Sequence, residues 1–325
     1  MSFTVEDPVK TLIRLLRTYL RVVKEDGGLA SIHISDEWYN SEISKTYDGQ
    51  ITVGLENCRE ERLSINGAIR RSIVTYRINV WVLDKPEKSL ESSEMRNKIL
   101  QEVKNVIREK GETPYKFEYN LVGASQKSGS HKVFYTFSDQ EIPPTSSEWN
   151  ELSDEEYAKL WYSDDERLSE TIQENGKYPL LLFKFKLDAE TTVLKSLTLK
   201  FEGYGESPAG NGVTIKVWNF SDGNWQKTQT SSSSLDETIS IEILSGFENF
   251  VDKDGYVYLL AKTANPSDGV NSAVLHCDYA EMDFSVNGIS YCKLVSYRNL
   301  DEPHNRPFIW RTELSVEGWI FERTV

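Results

Sequence analysis

FIWRTELSVEGWIFE, residues 308–322, is the stretch on which the fold turns. It has strand character, within a region of balanced charge. It stands near the end of the chain, and a lone strand needs a sheet to join. Charge points to the partner. Residues 1–128 hold 20 basic and 19 acidic side chains, residues 129–290 hold 12 and 27, and residues 291–325 hold five of each. The closing strand shares the balanced character of the first region, not the net −15 of the middle. We therefore expect it to return to a sheet begun before residue 128, with the acidic middle inserted between.

Working outward, the first region supplies that sheet. Residues 7–24 (DPVKTLIRLLRTYLRVVK) read as an amphipathic helix, with Asp7 as cap, Pro8 in the first turn and Gly27-Gly28 as its stop. Strands are expected near 30–34 and 51–55 and at 70–83 (RRSIVTYRINVWVL), the last closed by Lys85-Pro86. A second helix covers 89–110, ended by Gly111, and a strand follows at 115–123. The middle lacks a long apolar-periodic helix. Its short strand-like runs (132–137, 180–187, 193–202, 212–220, 238–243, 256–262 and 273–286) are separated by turn residues such as Ser221-Asp222-Gly223-Asn224. Residues 139–178 form a long polar connection with one short helix at about 153–161, capped by Ser153 with Glu156 three residues on.

The expected fold is multi-domain. A discontinuous α+β domain (1–128 plus 288–325) has two helices on a mixed or antiparallel sheet. An all-β, jelly-roll-like sandwich (129–287) is inserted into it, its ends brought together by strands 132–137 and 273–286. The chain has 325 residues, a formal charge of −14, 38% apolar and 11% aromatic residues, enough for real cores. No apolar run has the length of a membrane span, and no signal peptide is visible at MSFTVEDPVK. Cys58, Cys277 and Cys292 are odd in number and widely spaced, fitting neither a disulfide framework nor zinc, so a reducing compartment is expected.

No catalytic motif is present, so no enzyme, cofactor or metal is expected. His33, His131, His276 and His304 are scattered, and the Gly203-Tyr204-Gly205 and Gly210-Asn211-Gly212 runs read as turns. Asp154, Glu155, Glu156, Asp164, Asp165 and Glu166 offer oxygen ligands for calcium but lack the spacing of an EF-hand loop, and a solvated acidic loop is the plainer reading. In VTIKVWNFSDGNW (213–225), Trp218 and Trp225, with Tyr204, are the candidate platform for a sugar ring. The plainer alternative, that they fill the second sheet's core, is the one we expect. Nucleic-acid binding is disfavoured by the acidic middle; Arg70-Arg71 and Arg14, Arg17 and Arg21 are only local basic patches.

The order of helix 7–24, strands, RINVWVLD at 77–84, helix 89–110 and TELSVEGWIFE at 312–322 resembles tail-terminator proteins of tailed bacterial and archaeal viruses. That resemblance implies a homo-oligomeric, hexameric ring that caps the tail tube and contributes to head–tail joining. Its partners would be tube and connector proteins, at the head-proximal end of a virion assembled in the host cytoplasm. The middle resembles carbohydrate-binding β-sandwich modules through LTLKFEGYG (197–205), VWNFSDGNW (217–225) and DKDGYVYLLAKT (252–263). Near-zero charge on the ends suits subunit contact, and the acidic sandwich would decorate the ring outwardly, touching glycans or keeping neighbours apart. The alternative is a non-catalytic sugar-binding surface or adhesion module. No membrane partner is expected.

Overall fold

The computed structural model describes residues 4–64, 69–84, 89–127, 129–301 and 308–323. Lys85-Pro86 and His304 lie outside the described residues. In chain order the elements are α1 (Pro8–Tyr19), β1 (Ile32–Ser35), α2 (Ser41–Thr46), β2 (Gly49–Arg62), β3 (Ile69–Leu83), α3 (Ser89–Lys110) and β4 (Lys116–Asn120). The chain continues through β5 (Lys132–Ser138), β6 (Asn150–Glu151), α4 (Asp154–Ala158), β7 (Leu168–Ile172), β8 (Tyr178–Lys186), β9 (Leu194–Glu206), β10 (Val213–Asn219) and β11 (Asn224–Ser231). It ends with β12 (Glu237–Ile243), β13 (Tyr256–Thr263), β14 (Ala273–Val286), β15 (Tyr291–Asn299) and β16 (Ile309–Arg323). Two compact units result: Met1–Phe117 with Asn287–Val325, and Glu118–Val286. The first crossing between them thus falls inside β4, earlier than the change in charge at residue 128.

The first unit is one five-stranded sheet, in the order β1-β2-β3-β16-β15. Its centre is the long antiparallel ladder of β16 on β3, from Ile309 opposite Leu83 to Arg323 opposite Ile69. Period-2 alternation decides its two faces. Val74, Tyr76, Ile78 and Val80 of β3 and Leu314 and Val316 of β16 are buried on the face that meets α1 and α3. α1 contributes Leu12, Leu15 and Leu16, and α3 contributes Ile99, Val103 and Ile107, all essentially inaccessible. Asp7 caps α1 by accepting from the Val9 amide at 2.9 Å. The helix ends at Tyr19, five residues short of the expected end at residue 24, because Leu20 is already extended (ψ 121°). Gly27 (φ +82°) instead turns a small hairpin closed by a Val23–Leu29 bridge. The arginines of residues 7–24 are not a free basic patch. Arg14 is buried in a two-point pair with Glu6 at 2.7 and 2.8 Å, Arg17 donates to the Ile34 carbonyl, and Arg21 to that of Leu20.

The second unit is β throughout, apart from α4 and single turns of helix. A six-stranded sheet, β11-β10-β13-β8-β5-β6, packs on a sheet ordered β12-β9-β14-β4, with β7 pairing β14 beside it. The core between them is made by Leu181, Phe183, Phe185, Val213, Ile215, Val217, Leu259 and Ala261 on one side and Leu197, Leu199, Phe201, Ala280 and Met282 on the other. Phe183 meets Phe201 edge to face, ring centroids 6.0 Å apart. The strands expected to close this unit, 132–137 and 273–286, are not neighbours: β5 lies in the six-stranded sheet and β14 in the other. β4 takes the place beside β14, where Tyr119 packs edge-on to Phe284 at 5.0 Å. The capping box is formed, with Glu156 accepting the Ser153 amide at 2.7 Å.

Candidate functional site

The sequence nominates Tyr204, Trp218 and Trp225, and the structure divides them between two sheets. On β10, Val213, Ile215 and Val217 turn into the core, so Trp218 projects from the opposite, outer face of the six-stranded sheet. There it meets Trp225 of β11, its cross-strand partner, edge to face at 5.1 Å. Both rings are half-buried. Trp225 donates its indole N–H to the Ile142 carbonyl at 3.0 Å, and the neighbouring Lys216 pairs with Glu141 at 2.7 Å. The pair is therefore neither the core packing expected nor a flat platform. The two rings stand at 73°, and residues 141–142 lie against them.

Tyr204 lies on β9, where Leu197, Leu199 and Phe201 face the core and Tyr204 faces away. Its ring stacks on His276 of β14, its cross-strand partner, with centroids 4.4 Å apart and planes at 23°. His276 Nδ1 lies 2.8 Å from the Ser169 hydroxyl on β7, and Arg167 sits over the other ring of the stack. Arg167 is held by Asp236 and by Asp165 at 2.8 Å. Burial lowers the His276 pKa, and Arg167 adds to this while Glu206 and Asp236 oppose it. The stack is a ring pair rimmed by charges. In the sequence His276 is one of four scattered histidines; the β9–β14 register places it opposite Tyr204.

The acidic residues of 154–166 have structural work. Glu156 closes the capping box, Asp154 accepts the Gln126 amide at 2.8 Å, Asp164 accepts the Glu166 amide at 3.1 Å, and Asp165 pairs with Arg167. Among the described residues no three His, Cys, Asp or Glu side chains are grouped to hold a metal ion. The remaining described histidines have packing roles. His33 lies against Tyr47, and His131, pushed down to about 4 by burial, accepts the Lys186 amide at 3.1 Å through Nδ1. Cys277 and Cys292 are buried thiols whose pKa burial raises, the latter to about 12.

A surface the sequence did not nominate lies on the first unit. The second face of its sheet carries the other phase of the alternation: Arg71, Thr75, Arg77, Asn79 and Trp81 on β3, facing Arg311, Glu313, Ser315, Glu317 and Trp319 on β16, with Asn79, Trp81 and Glu313 buried among their neighbours. Glu313 joins three cations, Arg77 at 3.3 Å, Arg298 at 2.8 Å and Arg311 at 3.6 Å. Aromatic groups sit at both ends. At one, Trp38 and Tyr39 pack on Trp81, with Arg311 4.4 Å above the Trp81 ring. At the other, Trp319 meets Tyr291 at 4.8 Å beneath Arg71. A shallow cavity of about 300 Å³ opens between Trp38, Gly54, Arg77 and Asn79. Arg, Trp and Tyr are the residues that anchor protein interfaces, because they bury large area while keeping directional polar groups. The signal was present as RTEL and EGW within the closing strand, but which residues share a face across strands depends on register.

Residues 130–285 match a family described as the C-terminal domain of an uncharacterized protein. No curated protein matches the chain. Among solved structures it is similar to a xylan-binding module, CBM15, at 9% identity over 52% of this chain and 97% of that one, with a TM-score of 0.29. It is also similar to a CBM4 structure, at 10% identity over 46% and 94%, TM-score 0.28. A family 11 carbohydrate-binding module from Clostridium thermocellum, in complex with a mixed-linked tetrasaccharide, gives 9% identity over 53% and 89%, TM-score 0.22. All three likenesses are remote, and the reading of these surfaces rests on their own geometry.

Proposed function

We propose that this chain is a non-catalytic structural protein that assembles with copies of itself through its first unit, in the manner of a tail terminator. In this reading Met1–Phe117 with Asn287–Val325 is a discontinuous α+β domain that forms a hexameric ring. The ring caps the tail tube at the head-proximal end of a virion and contributes to head–tail joining. The acidic, jelly-roll-like unit decorates it. The observation that carries the reading is the polar face of the five-stranded sheet, with its Glu313–arginine cluster and its aromatic groups at either end. Net charge supports it: the first unit totals +1 and the second −15, so copies meeting through the first unit avoid most of the self-repulsion. Electron microscopy of the purified full chain tests it. Sixfold rings are expected, and a preparation of monomers that bind a glycan array overturns it.

A second reading, a sugar-binding module, is favoured by one observation: Trp218 and Trp225 lie on the outer side of their sheet with part of each ring accessible. Glycan-array binding by the full chain that is lost in Trp218→Ala, with no rings in micrographs, would select it.

A further inference from the structure

The five-stranded sheet of the first unit ends in two incomplete edges. β1 pairs with β2 only from Gly49 to Thr52, so among the described residues no strand lies outside β2 from Gly54 to Arg62. At the other end β15 is the last strand, and its outer side is met at Cys292 by the Gly111 carbonyl but by no strand from Lys293 to Asn299. Unpaired edges of this length are templates for another chain, since each presents a row of peptide donors and acceptors.

We propose that the occupant of the β2 edge is β15 of a second copy, so that neighbouring sheets join head to tail. This rests on the assembly reading above and names its interface. Direction is the first support. β2, β3, β16 and β15 are antiparallel in succession, so β2 and β15 run oppositely, and a sheet continued from one copy to the next pairs them antiparallel.

Charge is the second. The β2 edge carries Glu56, Glu60 and Glu61, which pair within the sheet with Arg77, Arg70 and Arg71 of β3, and the β15 edge carries Lys293 and Arg298, which pair with Glu317 and Glu313 of β16. The carboxylates are on the β2 strand and the cations on the β15 strand, so an unlike pair of edges lets these ion pairs extend across the contact, which two β2 or two β15 edges do not offer. This selects a head-to-tail contact, which propagates to a ring or filament, over a two-fold dimer.

Apolar matching is the third. Leu55 stands opposite Tyr76, and Tyr297 opposite Leu314, so both project from the helix-covered face of the sheet. Each is more than half exposed, as is Val295 beside Tyr297. In a continued sheet that face is shared, which brings Leu55 of one copy towards Tyr297 of the next. Both edges contain a bulge, after Leu55 and after Leu294, and neither contains Pro. Bulges and charges discourage indiscriminate pairing, which leaves the complementary pair as the favoured one.

Cys58, exposed on β2 and projecting from the same face, provides the test. In full-length Tyr297→Cys, a short bis-maleimide should link copies into a ladder on denaturing gels. The ladder should vanish when Cys58→Ser is added. Independently, Glu60→Lys should weaken self-association about tenfold in mass photometry, and Lys293→Glu in the same chain should restore it. Rings or oligomers without a Cys58-dependent ladder would overturn this interface and leave the assembly reading standing. A protein that stays monomeric up to its solubility limit, with no ladder, would overturn both.

Discussion

The two units solve the same problem with opposite consequences. Each contains a sheet with one apolar face. In the second unit that face is covered by another sheet, and Phe183, Phe201, Leu199 and Leu259 lie between two layers of strands. In the first unit α1 and α3 cover it, and the other side of the sheet is left to arginine, glutamate and tryptophan. The outer surfaces then diverge in charge, +1 for the first unit and −15 for the second. A polar face that pairs its charges internally keeps little net field and can approach a partner. A surface with a large excess of one sign keeps others at a distance. Burying the apolar faces alone would not have required this difference.

The largest test sets a side chain between two sheets against one on the polar face. Phe183→Ala should cost about 3–5 kcal/mol in denaturant unfolding, because a fully enclosed ring leaves a cavity. Trp319→Ala should cost only about 1–2 kcal/mol, since half of its environment is already solvent and ion-paired side chains. Equal losses would break the comparison.

The next effect belongs to Glu170 on β7, a carboxylate only 8% exposed. Its pKa is pushed up to about 7 by burial and then by Glu156, with Lys159 opposing. Between its unfolded pKa of 4.5 and about 7 the native state holds a proton that the unfolded chain has released. Stability from this group therefore falls as pH rises through that window. Glu170→Gln should flatten the fall and raise stability above pH 7 by about 1–3 kcal/mol. A variant with an unchanged pH profile would refute the assignment. On the polar face of the first unit the shift has the opposite sign, because Lys293 and the Trp319 indole N–H hold the Glu317 carboxyl below its usual range.

The smallest effect sharpens the reading of the outer aromatic pair. Trp218→Ala should cost about 1–2 kcal/mol, below the 3–5 kcal/mol of a core aromatic, because its ring packs outside the sheet on Trp225. A loss as large as that of Phe183→Ala would return Trp218 to the core and remove it as a ligand candidate.

Much of the secondary structure was legible because its signals are local. β3 and α3 lie within a residue of the ranges read from alternation and helical spacing, and the Ser153–Glu156 capping box formed as the sequence implied. Other elements were not legible. β2 runs on to Arg62 through Leu-Glu-Asn-Cys-Arg-Glu-Glu-Arg, which is polar on both faces and has no alternation to read. It is a strand because β3 pairs with it residue by residue. β7, β11 and β15 were likewise missed, being short or largely exposed. α2 carried a cap signal in Asn40, which accepts the Glu42 amide at 2.9 Å, but six residues are too few for periodicity.

The candidate site divides along the same line. Sequence alone determined that Val213, Ile215 and Val217 face opposite to Trp218, since successive side chains of a strand alternate whatever it pairs with. It also determined that the closing stretch 308–322 is a strand and that the acidic excess lies in the middle of the chain. Only the tertiary structure decided that β16 lies between β3 and β15, that Tyr204 stacks on His276 in a different sheet from Trp218, and that β2 and β15 are left as edges. The reason is physical. Alternation and capping are fixed by a few neighbouring residues, whereas strand order and register depend on which distant surfaces remain to be buried and on the entropy of bringing them together.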